Sequence, residues 1–158
     1  MFSGIELFNL KGKRALITGS SQGIGFALAK GLSSAGADIV LNGRDKAKLE
    51  NSAKDLNPEN GLFQLSFDVT NQKEVKQKID EFEKNFGPIE ILINNAGMQY
   101  RTPLEEFPSE MFEKLLHTNI SSVFNVSQVV AKHMIKRGHG KIINIASVQT
   151  LLARPGIA

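Results

Sequence analysis

The chain has no cysteine and no tryptophan, and only one tyrosine and three histidines among 158 residues. Without cysteine neither a disulfide framework nor a thiolate metal site can form, and the histidines lack ligand-like spacing, so no metal centre is expected. Long apolar runs are missing as well. Nothing approaches the roughly 18 residues that a membrane span needs, and Met1 to Lys11 has neither the basic start nor the apolar middle of a signal peptide. The expectation is a cytoplasmic protein without a membrane partner. Charge of one sign is scarce too: 19 Lys and Arg stand against 16 Asp and Glu, scattered and not gathered in tracts, which argues against a nucleic-acid partner. What is present, 41% apolar and 22% charged residues, suits one domain around one core.

The pattern alternates strand and helix. Arg14 to Ile17 is a short apolar run ending at Thr18-Gly19, and Ile24, Leu28, Ala29 and Leu32 follow at helical spacing, with Gly36 as the closing cap. Asp38 to Leu41 reads as a second strand before a turn at Asn42-Gly43. A Lys-rich solvent-facing helix from Asp45 to Leu56 is broken by Pro58 to Gly61, and Leu62 to Phe67 is the third strand. Asp68 to Asn71 would cap a helix whose core face is Val75, Ile79, Phe82 and Phe86, ended by Gly87-Pro88. Ile89 to Ile93 is strand four. A loop from Asn94 to Phe107 leads to a long helix, about Ser109 to Arg137, with Met111, Leu115, Ile120, Phe124 and Val130 as its apolar positions. Gly138 caps it, Lys141 to Ile145 is strand five, and a small-residue turn follows at Ala146-Ser147. Short apolar strands that alternate with helices require crossovers, hence an α/β fold: a doubly wound parallel sheet, Rossmann-like, with helices on both faces. Residues 1–158 form one dinucleotide-binding domain on this reading. Strand order 3-2-1-4-5 would open a ligand crevice at the carboxyl ends of strands one and four.

Thr18 to Gly25 places Gly19, Gly23 and Gly25 between strand one and the first helix, where bare backbone amides can approach a pyrophosphate at the positive helix end. Ser20, Ser21 and Ile24 belong to the same turn. An ordinary glycine-rich turn has the same composition, and the strand before it and helix after it are what favour a nucleotide. About 20 residues beyond such glycines, an NAD site carries an acidic residue for the ribose 2′-hydroxyl. Here strand two ends in Asn42-Gly43-Arg44, so the carboxylate that would repel a 2′-phosphate gives way to glycine with an arginine beside it. NADP(H) is therefore the expected cofactor, although Arg44 also suits a solvated helix start. Gln22 stands where NADP enzymes often have a basic residue.

These residues resemble the short-chain dehydrogenase/reductase family, whose Thr-Gly-x-x-x-Gly-x-Gly motif Thr18 to Gly25 match. Asp68-Val69 is similar to the family's adenine-contacting pair, and Asn94-Asn95-Ala96-Gly97 to its strand-four signature beside the cofactor. Asn119 and Ser147 match the family's catalytic Asn and Ser. The resemblance implies an oxidoreductase that interconverts a ketone and a secondary alcohol by hydride transfer, with Ser147 bonded to the substrate oxygen and Asn119 holding a water that links a Lys to solvent. The stretches Phe8 to Lys13, Gly97 to Pro103 and Ala146 to Gln149 resemble the branch of the family that interconverts D-gluconate and 5-keto-D-gluconate. Such a sugar acid needs a cation for its carboxylate, a role open to Arg101 or Arg154, with Gln149 nearby. Each arginine is equally compatible with the surface. The alternative substrate class is a 3-oxoacyl thioester.

The family's acid/base Tyr and its Lys fall just beyond Ala158, and Tyr100 does not match that position. The 158-residue form is thus expected to be a fragment of a longer chain or a product with an exposed, association-prone apolar edge, and to show no turnover. The complete protein is expected to be a homo-oligomer, a tetramer or dimer. A non-catalytic module that binds NADP(H) is the rival hypothesis from another class, with the missing Tyr and Lys as its support, and a scaffold that merely keeps the fold is a third.

Overall fold

Ala15, Leu16 and Ile17 have no solvent exposure, so the strand they form must lie in the middle of a sheet covered on both faces. In the computed structural model, which describes residues 6–56 and 58–147, that strand is β1 (Arg14–Ile17). It is followed by α1 (Gly23–Ser34), β2 (Asp38–Gly43), α2 (Lys46–Leu56), β3 (Leu62–Ser66), α3 (Gln72–Phe86) and β4 (Ile91–Asn94). A long helix comes next, made of α4 (Ser109–Leu116), one π-helical turn (His117–Ser121) and α5 (Ser122–Arg137), and then β5 (Lys141–Asn144). The sheet has the order β3-β2-β1-β4-β5 with every pair parallel, Leu16 lying opposite Val40 on one side and Leu92 on the other. This is the expected doubly wound arrangement. Among the described residues no helix is long and apolar enough to cross a membrane.

The period of two along each strand sorts its side chains between two cores. Leu16, Val40, Leu65 and Leu92 pack with Val75, Ile79 and Phe82 of α3 and Val126, Val129, Val130 and Met134 of α5. Ala15, Ile17, Ile39, Leu41 and Ile93 pack on the other face with Ala29 of α1 and Leu49 and Ala53 of α2. Burying one Leu or Ile side chain contributes roughly 1.5–3 kcal/mol, so this alternation is what holds the helices to the sheet. The caps follow local chemistry. The Asn71 side chain accepts from the Glu74 amide at 3.2 Å to start α3. After α5, Gly138 is left-handed, and its N–H and that of His139 return to the carbonyls of Ile135 and Met134 at 3.1 and 3.2 Å.

Four expectations need correcting. Asn42 and Gly43 are not a turn: both belong to β2, opposite Leu65 and Ser66, because the Asn42 amide bonds the carbonyls of Leu65 and Phe67 at 2.9 and 3.2 Å and so carries the strand onward. Ile120 and Phe124 do not face the core and are 64% and 61% exposed, whereas Val126, Val129, Val130 and Met134 are buried. Both lie off the inward stripe, which runs through Met111, Leu115, Thr118, Ser122, Asn125 and Val129 at spacings of three and four, and Ile120 instead lines a cleft described below. Ile24 is also exposed, since it stands at the mouth of a cleft described below. Phe86 is 55% exposed, yet its ring still meets Phe63 and Phe82 at centroid distances of 5.4 and 5.2 Å, at the edge of the core and not within it.

Candidate functional site

β1 has β2 on one side and β4 on the other, and their crossovers leave in opposite directions, so a crevice opens where the carboxyl ends of β1 and β4 part. The two exits are bolted together. Thr18 Oγ1 accepts the N–H groups of Asn95 and Ala96, each at 3.0 Å, while Asn95 Nδ2 donates to the carbonyls of Thr18 and Gly19 at 3.0 and 3.2 Å. Such closeness dictates glycine at two points. At Gly19, φ is +62° and a Cβ would stand 2.9 Å from the Ala96 Cα; at Gly25 it would stand 2.5 Å from the Gly19 oxygen and the Asn95 amide. Around Gly23, by contrast, a Cβ would meet nothing within 4 Å. Gln22 at the N-cap of α1 makes no side-chain cap bond, which leaves first-turn amides of the helix pointing into open space. The donor set fits an anionic diphosphate.

A cleft of ≈ 580 Å³ runs from this turn along the strand ends, and it brings together Gly19, Ser21, Gly23, Ile24, Gly25, Arg44, Asp68, Val69, Asn95, Ala96 and Gly97 of the expected residues. Ser20 is not among them. Its side chain is fully buried, with the hydroxyl donating to the Ile17 carbonyl at 2.8 Å and accepting the Asn42 N–H at 2.9 Å, so it ties β1 to β2. Arg44, 75% exposed, lies 3.5 Å from Asp68 Oδ2. Burial by itself would raise the Asp68 carboxyl, but the N–H and hydroxyl of Thr70 and the charge of Arg44 outweigh it and hold the group below the usual carboxylate range. Lys48 also lines this cleft and was missed in the sequence, where the Lys-rich stretch reads as a solvated face. The signal was available: Asp45 caps α2 by accepting the Lys48 N–H at 3.1 Å, which sets Lys48 one turn beyond Arg44 on the cleft side.

A second cleft, of ≈ 860 Å³, abuts the first at Met98, which lines both. Ser147, Asn119 and Arg101 all line it, together with an apolar wall that includes Leu104, Phe107, Phe112, Leu116 and Ile120. Composition gave no hint of that wall, whose members come from a loop and two helical turns. Asn119 lies in the π turn, and its amide pairs with the backbone of Met98, accepting the Met98 N–H and donating to the Met98 carbonyl, both at 2.9 Å. The amide thus pins the loop after β4. Asn94 in β4 serves the sheet, donating to Ser127 Oγ and Asn144 Oδ1, each at 2.8 Å. The Tyr100 ring packs against Phe107 at 5.3 Å. Gln149 and Arg154 lie outside the described residues.

The family model for short chain dehydrogenases matches residues 13–158. Gluconate 5-dehydrogenase of Gluconobacter oxydans is 53% identical over 155 residues, covering 97% of this chain and 60% of that protein. The 5-keto-D-gluconate 5-reductase of Escherichia coli is 44% identical over 154 residues, covering 96% of this chain and 60% of the reductase. Among solved structures, that of a gluconate 5-dehydrogenase from Burkholderia cenocepacia in complex with NADP and tartrate is similar with a TM-score of 0.93 and 50% identity, covering 99% of this chain and 62% of that one. The chain therefore spans about 60% of the length of the curated relatives it matches.

Proposed function

This chain belongs to the short chain dehydrogenase family, and on that premise we propose that the complete protein is an NADP(H)-dependent oxidoreductase that interconverts D-gluconate and 5-keto-D-gluconate. The observation that carries the reading is the meeting of the two clefts at Met98, which sets a diphosphate cradle beside a cleft containing Ser147, Asn119 and Arg101. Two relatives named for this interconversion, and a third whose crystal holds NADP, support it. When bound, the nicotinamide supplies or accepts the hydride.

The chain's own residues do the rest. First-turn amides of α1 and the bare backbone of Gly19 and Gly23 take the diphosphate, and Arg44 with Lys48 takes the 2′-phosphate. Asp68 and Val69 line the adenine end, and Asn95, Ala96 and Gly97 keep the strand exits in place. Ser147 donates a hydrogen bond to the substrate oxygen, stabilising the alkoxide as it forms. Arg101 takes the substrate carboxylate through its fork of N–H donors. The same reading makes the chain one dinucleotide-binding domain of a cytoplasmic homo-oligomer, the latter supported by the exposed rings and side chains of Phe112, Leu116 and Phe124.

The apolar wall of the second cleft favours one other substrate, a 3-oxoacyl thioester, whose chain would bury against Leu104, Phe107 and Phe112. Oxidation of NADPH by the complete protein decides between them. We expect turnover with 5-keto-D-gluconate at least about 10-fold more efficient than with a short 3-oxoacyl thioester, in line with the discrimination that a charged substrate group gives. The reverse order selects the thioester, and cofactor binding without turnover of either marks a nucleotide-binding module.

A further inference from the structure

The segment after β4 alternates in burial. Met98 and Tyr100 are half-buried, while Gln99 and Arg101 are exposed. Both half-buried residues are anchored. Met98 is held at its N–H and its carbonyl by the Asn119 amide, and the Tyr100 ring rests on Phe107, whose own ring meets Phe112 edge-on at 6.4 Å. All four line the second cleft with Ser147, and the anchors at Met98 and Tyr100 fix the backbone from which the exposed Gln99 and Arg101 side chains stand. There Arg101 Nη2 donates to Gln99 Oε1 at 2.8 Å.

A guanidinium has five N–H donors in one plane, and a carboxylate is gripped best when two of them lie parallel to its oxygens. On a free surface arginine the plane turns, and ordering it costs side-chain entropy at the moment of binding. One acceptor fixed on Nη2 restrains that rotation and leaves Nη1 and Nε open. The acceptor is an amide and not a carboxylate, so it orients the guanidinium without cancelling its charge. It also brings a second, neutral donor, the Gln99 Nε2 hydrogens, to the same place.

We propose that Gln99 is the residue that sets specificity for acids: it holds the Arg101 guanidinium in the plane that receives the substrate carboxylate and adds its own N–H to that carboxylate. The inference rests on the sugar-acid reading above. It assigns Gln99 a positioning role that neither the sequence motifs nor the rest of the site requires, and it makes Asn119 the link between the nucleotide cleft and the acid end of the substrate, through Met98.

The test is a double-mutant cycle on the complete protein, reading kcat/KM for D-gluconate against D-gluconamide, which has the same shape without the charge. In Gln99→Ala the preference for acid over amide should fall by about 10-fold, the size of a lost charge-assisted hydrogen bond. In an Arg101→Ala background the same change should alter that preference by no more than about 3-fold, since only the Gln99 N–H given directly to the carboxylate would remain to be lost. Gln99→Glu keeps the grip on Arg101 but faces the substrate with like charge, and should lose more of the preference than Gln99→Ala. An unchanged preference in Gln99→Ala, or an equal loss with and without Arg101, overturns the proposal while leaving the sugar-acid reading intact. A wild-type enzyme that prefers the amide, or that turns over neither compound, overturns both.

Discussion

Arg44 has a partner that costs little to give up. Its contact with Asp68 is 3.5 Å long with the arginine side chain 75% exposed, and ion pairs of that kind contribute about 0–1 kcal/mol. A 2′-phosphate, doubly charged and with three acceptor oxygens, offers the guanidinium more than one carboxylate oxygen can. Arg44→Ala should therefore weaken NADPH binding by about 10- to 100-fold and leave NADH nearly unaffected, as a lost charged hydrogen bond implies. Lys48→Ala should act the same way to a smaller degree, because a flexible ammonium binds as a point charge. Calorimetric affinities of the complete protein for both nucleotides check this, and equal affinities in the wild type would dismiss the 2′-phosphate contact. The proposal of NADP(H) is legible at Gly43-Arg44, where an acidic residue is missing. Ser20 does not follow its neighbours in the motif into the cleft, because its hydroxyl turns to Ile17 and Asn42, a contact across strands that no local pattern encodes.

At the level of elements, α3 and α5 are joined on the sheet face by a charged seam. Arg137 Nη1 donates to both carboxylate oxygens of Glu83, at 3.0 and 3.1 Å, and its Nη2 donates to the Ile89 carbonyl, while Asp80 stands between Lys76 at 2.6 Å and His133 at 2.7 Å. Burial alone would raise the Asp80 carboxyl, but hydrogen bonds from Lys76 and His133, with their charges, outweigh it and lower its pKa. A carboxyl lowered on folding contributes stability above its unfolded value, and that contribution disappears as pH falls through the folded value. Asp80→Asn should thus cost about 0.5 kcal/mol at neutral pH, as part-exposed pairs do, and the difference from wild type should begin to narrow below about pH 4 and close as the pH passes the lowered folded value. Urea unfolding of the complete protein at pH 7 and at pH 3.5 measures it; a difference that widens on acidification would refute the account. The helix that carries the seam shows the limit of periodicity. Ser109 to Arg137 was readable as one helix, but the π turn at His117–Ser121 was not, because a five-residue turn leaves no mark in composition.

For the molecule as a whole, two apolar surfaces stand out among the described residues. Phe112, Leu116, Ile120 and Phe124 are 54%, 45%, 64% and 61% exposed along the long helix, and Ile142, Ile143 and Ile145 are 38%, 47% and 42% exposed along and just after β5, which among the described residues pairs with β4 alone. A parallel sheet with a bare apolar edge strand pairs readily with another chain. A polypeptide of these 158 residues produced by itself should accordingly self-associate in a concentration-dependent manner, seen as rising mass in sedimentation velocity, and Ile143→Lys should reduce it. A monodisperse monomer at high micromolar concentration would show that these surfaces are harmless.

Local chemistry alone determined the strands, their alternation with helices, the glycine turn, and the family these imply, because each depends on residues close in sequence: periods of two and 3.6, caps, and a motif of eight consecutive positions. Strand order came with the likeness to the dinucleotide-binding fold, not from any local pattern, and the sheet has that order. What only the tertiary structure decided is which side chains meet across the chain. Thr18 with Asn95, Asn119 with Met98, Gln99 with Arg101 in a cleft shared with Ser147, and Lys48 beside Arg44 all depend on where strand ends, loops and helices converge, and no local pattern encodes that convergence.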